Sequence, residues 1–154
     1  MEKLKLKGLI ELSLIREGKV IENRKIKNTI TNAGLDEITN LLGNVSSPVA
    51  FTFLAVGTGS TAANATDTAL ETEITDSGLA RAAATVSQET TTVSNDTLQL
   101  LKSFTVTGTK AVTECGAFND ASAGTILGRQ VFAAINVVNG DTLQITYKFA
   151  FAGV

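Results

Sequence analysis

Arg81, Glu114 and Arg129 lie in otherwise apolar stretches and, with Glu73, are the first candidates for chemistry. Glu114 stands in AVTECGAF, Arg129 in TILGRQVF and Arg81 in LARAAATV, eight residues after Glu73. A charge taken out of water needs a partner, because an isolated buried ion costs more than a fold can offset. Glu73 or Glu114 is therefore expected to pair with Arg81 or Arg129. The chemical alternative is a carboxylate acting as acid or base, or as one of a glycosidase pair. Against it, no second carboxylate forms an evident site with Glu114. The chain also lacks Trp and has one Tyr, Tyr147, which leaves little to stack on a sugar.

Histidine is absent and there is one cysteine, Cys115. That composition excludes a His general base, a Ser-His-Asp triad and a Cys/His zinc site. Cys115 has no cationic neighbours in sequence and is expected to be a buried structural thiol. The glycine turn AVGTGS at residues 55–60 invites comparison with phosphate-binding loops. A P-loop requires a lysine directly after its second glycine, yet the first lysine beyond Gly57 is Lys102. A dinucleotide fingerprint requires a third glycine opening a helix, and neither is present. Gly57 and Gly59 are expected instead to let the chain turn sharply out of a buried strand into a long excursion. No cofactor and no metal are expected.

The elements that must position these residues read mainly as strands. The 154 residues suit one domain with a real core, and Thr and Val are abundant. Residues 4–14 alternate apolar and polar, REGK at 16–19 reads as a turn, and VIENRKIKNTI follows as a second strand. Residues 1–30 are expected to form a charged β-hairpin arm, and residues 31–154 a single β-rich body.

TNAGLDEITNLLGN reads as the one helix, capped by Thr31 or Asn32 and stopped by Gly43, with Leu35, Ile38, Leu41 and Leu42 on its apolar face. TDTALETEI reads as a short helix or an ordered loop. FTFLAV, LARAAATVSQ, TLQLLKSFTVTG, AVTECGAFN, TILGRQVFAAINV and DTLQITYKFAFAG read as strands. The Asn139-Gly140 pair predicts a hairpin between the last two. The fold class is a β-sandwich or jelly-roll-like body with one short N-terminal helix and an extended N-terminal β-arm.

Charge is uneven. Residues 1–30 hold eight basic residues against four glutamates, although the whole chain is at −2. Lys3, Lys5, Lys7, Arg16, Arg24, Lys25 and Lys27 are expected to be the contact residues of the arm. Interleaved carboxylates and the lack of aromatic residues in the arm speak against nucleic acid, and for a solvated strand face or a face laid on an acidic protein partner. The N-terminus does not read as a signal peptide, and no run is long enough to span a bilayer.

NTITNAGLDEITNLL, FTFLAVGTGST, DTALETEI, ARAAATVS, VTECGAFND, GTILGRQVF and GDTLQITYKF follow one another in order. That ordered set, over residues 28–150, resembles small virion structural proteins of tailed bacteriophages. Its first part is also similar to the N-terminal region of phage tail-collar fibre proteins. The resemblance implies a non-enzymatic protein of the virion, assembled in the host cytoplasm. The implied role is capsid decoration as a homo-oligomer, a trimer, bound to the major capsid protein. A tail, collar or baseplate component is the alternative, and a displayed receptor- or glycan-binding module the third reading.

Overall fold

The computed structural model describes residues 3–153. These residues are mainly β, with two antiparallel five-stranded sheets in a sandwich-like arrangement and one helix among them. The elements are β1 (Leu4–Arg16), β2 (Lys19–Lys27), β3 (Thr29–Ile30), α1 (Asn32–Gly43), β4 (Phe53–Gly57), β5 (Ala82–Ala83), β6 (Thr85–Glu89), β7 (Thr97–Thr105), β8 (Lys110–Phe118), β9 (Ile126–Val137) and β10 (Thr142–Gly153). The first sheet runs β2-β1-β10-β7-β6 and the second β3-β9-β8-β4-β5. Period-two alternation turns Ile10, Leu12 and Leu14 of β1, and Leu143, Ile145, Tyr147 and Phe149 of β10, into the space between the sheets. There they meet Leu54, Val56, Val112, Leu127 and Ile135 of the second sheet.

The N-terminal hairpin forms through a two-residue turn with Glu17 at φ 50° and Gly18 at φ 75°, the positive-φ geometry that matches strand twist. It is not an arm separate from the body, and residue 30 is not a domain boundary. β1 is paired on both flanks, to β2 and to β10, and its alternate side chains lie in the main core. The physical reason is the length of its apolar alternation, which would stay exposed in an arm. Among the described residues, Leu4–Lys7 of β1 extend past β2 and pair with β10 as their one strand neighbour.

The Asn139-Gly140 turn is present, but it does not make a hairpin. β9 and β10 belong to different sheets, so residues 138–141 arch across the sandwich. Gly140 has φ 92° while Asn139 stays out of the positive region, and Asp141 N–H donates to Val138 O at 3.1 Å. That is a type II turn, whereas the tight hairpin type requires both residues at positive φ. Tertiary bonds fix the arch. Gly140 N–H donates to Val106 O at 2.9 Å and Val106 N–H to Asp141 O at 2.9 Å. Arg16 grips the buried Asp141 carboxylate with two bonds of 2.8 Å.

Helix α1 begins at Thr31, whose hydroxyl accepts from Gly34 N–H at 2.9 Å. Its left-handed stop is Asn44 at φ 50°, one residue beyond the expected Gly43. Gly34, not the leucine stripe, makes the closest approach to the body. A Cβ there would lie 2.6 Å from Leu127 Cα. Ile38 packs on the core, while Leu35, Leu41 and Leu42 remain exposed.

Candidate functional site

Between β4 and β5 the chain makes a 24-residue excursion, residues 58–81, that lies as a strap over the outer face of the second sheet. It contains no helix, so TDTALETEI is an ordered loop. Thr58 N–H donates to Thr72 O and Ile74 N–H to Val56 O, both at 2.9 Å, closing the strap beside the end of β4. Leu70 drops into a small second core with Ala55, Phe118 and Ile126.

Under the strap lies Glu114, fully buried. Its Oε1 accepts from Gly59 N–H at 3.0 Å and Thr72 N–H at 2.8 Å. Its Oε2 accepts from Glu71 N–H at 3.1 Å and Arg129 Nε at 2.9 Å. The glycine turn therefore does cradle an anion, and the anion is the chain's own carboxylate. Gly57 and Gly59 are not required for a positive φ, contrary to the expectation of a sharp glycine turn. They are required for room. A Cβ on Gly57 would lie 2.4 Å from Glu114 Oε1, and one on Gly59 would lie 2.5 Å from the same atom.

Arg129 carries the positive charge of this cluster, with its side chain 3% exposed. Nη1 donates to Asp67 Oδ2 at 2.8 Å. Nη2 lies 2.8 Å from Glu114 Oε2 and 3.6 Å from Glu71 Oε2, in ionic contact without hydrogen-bond alignment to either. Burial works against the charged guanidinium, but the bonds to Asp67 and Glu114 outweigh it and raise its pKa. Burial also raises Asp67, yet Asn64 N–H and Arg129 together hold it below the usual carboxylate range. Glu71 is lowered by Thr61, through both its N–H and its hydroxyl, and by Ser60 N–H.

Glu73 and Arg81 form a second pair at the strap's exit, with two bonds of 2.9 and 2.6 Å. Arg81 also donates to the carbonyls of Asp120 and Ala123 and lies 3.6 Å above the Phe118 ring. The structure thus sorts the four charges into Glu114–Arg129 and Glu73–Arg81. Every polar atom of Glu114 is engaged, so it has no free lone pair with which to take a proton from a substrate. Cys115 is buried, and burial together with Glu114 pushes its thiol well above the ordinary range.

The expected arm residues divide. Arg16 is held on Asp141, Arg24 on Glu22 and the carbonyls of Ala133 and Ala134, and Lys25 lies 3.9 Å from Glu11. Lys3, Lys5, Lys7 and Lys27 are exposed.

Sequence reasoning missed Asp67 and Glu71 as partners of Arg129. Nothing local links either residue to the guanidinium, which for Asp67 is 62 residues away in the chain. It also missed Asn28, whose side chain sits between Gly8 and Gly128 and donates to Tyr147 Oη at 2.8 Å. Two glycines facing one asparagine from opposite sheets leave no local signal. Among the described residues no group of three or more His, Cys, Asp or Glu side chains is placed to hold a metal, and no helix is long and apolar enough to cross a membrane. Set against protein-family models, curated proteins and solved structures, the chain matches none of them.

Proposed function

We propose that this chain is a non-enzymatic structural protein of a tailed-phage particle, a capsid decoration protein. It acts as a symmetric oligomer, a trimer, on the outer shell and strengthens contacts between capsomers. One observation carries the reading. The segments in which the sequence resembles phage virion proteins are the interlocked framework of the fold, and their interior charges are bonded to one another and to backbone amides. The start of helix α1, bonded to Leu127 and Ala65, the β4 strand and the glycine turn after it, the strap, and the Glu114 and Arg129 strands form one unit. Residues of that kind serve shape and attachment, and a closed symmetric assembly reuses one such shape many times.

A tail, collar or baseplate role is the second reading, favoured by the tail-collar similarity of the helix, the GxG strand and the strap. Copy number separates the two. Mass spectrometry of purified particles should find this chain near one copy per major capsid protein. A handful of copies per particle would move it to the tail, and absence from particles would end both readings.

A further inference from the structure

We infer that the free edge of β1 at Leu4–Lys7 is a docking slot for an extended acidic segment of another protein, which pairs as an added strand in the place β2 vacates. This deepens the assembly reading and rests on it only for the identity of the partner.

The slot follows from register. β2 pairs with β1 from Leu9 onward, and Asn28 N–H closes the ladder on Gly8 O at 3.2 Å before the chain leaves for the second sheet. In an antiparallel ladder both backbone groups of alternate residues point to the same side. Gly8 points toward β2, so Leu4 and Leu6 do as well, and among the described residues no strand receives them. Lys5 and Lys7 use their backbone groups on β10, opposite Ala152 and Ala150. A hollow of about 460 Å³ opens at this point, lined among others by Leu6, Lys7, Leu9, Lys27, Ile30 and Lys148.

The side chains specify the occupant. Lys5 and Lys7 stand on the outer face of the sheet, with Lys27 and Lys148 both opposite Leu9 in the next row. Among the described residues none of these four lysines forms an ion pair, and the nearby Glu11 is already beside Lys25. Leu4 and Leu6 point to the inner face. An added strand would set every second side chain against the lysines and the others against the leucines, at the strand's repeat of roughly 7 Å. It should therefore alternate acidic and apolar residues. A second copy of this edge is disfavoured, because antiparallel self-pairing would set lysine against lysine. Nucleic acid lacks the peptide groups that would satisfy Leu4 and Leu6.

The test uses the full chain and a fluorescent eight-residue peptide alternating glutamate and valine, read by anisotropy and by amide hydrogen exchange. Saturable binding with new protection at the Leu4 and Leu6 amides is expected. Lys5→Glu with Lys7→Glu should weaken it by about tenfold or more. Both lysines are exposed, so the melting temperature should hold. Leu4→Pro removes one free-edge N–H while sparing the β10 ladder, and should also weaken binding. No saturable binding, equal binding of a lysine–valine peptide, binding without protection at Leu4 and Leu6, or tighter binding of duplex DNA would each overturn the inference. None of these results depends on whether the chain is found in particles.

Discussion

On the outer face of the second sheet, Glu114 and Arg129 lie beneath the strap with side chains 0% and 3% exposed. At the helix end of the sandwich, Leu42 stands 79% exposed, and Leu41, Val45, Val49 and Val86 between 37% and 55%. One region buries charge and the other exposes hydrocarbon, each against the ordinary preference. They differ in completeness. The buried charges have partners on every polar atom of Glu114, so the strap is closed on itself. The helix end has an open groove of about 290 Å³ between α1 and the sheet edge, lined by residues including Leu41, Leu42, Phe51, Val86 and Phe151. A satisfied polar interior holds a shape, whereas open apolar surface contributes little to folding.

If that contrast is right, breaking the strap should cost far more than altering the helix face. The largest effect is expected from Arg129→Met, which strands the buried Glu114 carboxylate and should cost about 3–5 kcal/mol in urea unfolding. Gly59→Ala pushes a Cβ against Glu114 Oε1 and the Glu71 side chain, and should cost about 1–3 kcal/mol. Hydrogen exchange should then rise at the Glu71 and Thr72 amides and not in β10.

Thr31→Ala removes the helix cap, and should cost about 1 kcal/mol. Leu42→Glu should change stability by less than about 0.5 kcal/mol, because the side chain is exposed and supports nothing in this fold. A large loss at Leu42 together with a small one at Arg129 would invert the comparison.

Acid offers a graded version of the same test. Asp96 is drawn down to about 2 by the Val93, Thr91 and Thr92 amides, and Asp67, Glu71 and Asp141 also lie below their ordinary values. A carboxylate depressed in the folded state adds stability above its unfolded pKa, and that stability is lost as pH falls through the folded value. The melting temperature should therefore drop as pH falls from about 5 toward 2. Lowering pH from 8 to 6 should leave it flat, since the chain has no histidine. A loss confined to pH 6–8 would show that other groups govern the fold.

The strand alternation, the Glu17-Gly18 turn, the Thr31 cap and the need of the interior charges for partners are written in local sequence. They depend on spacing of two to four residues and on what each side chain can do alone. Three features depend on packing. β10 joins the first sheet by pairing with β1 and β7, and Val106 and Arg16 hold the 138–141 arch that carries the chain across; no dipeptide can encode that. The use of Gly57 and Gly59 is set by the position of Glu114, more than fifty residues away in the chain. The partner of Arg129 at Asp67 exists only because the strap folds back over the sheet. Sequence determined which groups required satisfaction. Only the tertiary structure decided which atoms provide it, because those atoms are brought together by chain crossing and not by chain proximity.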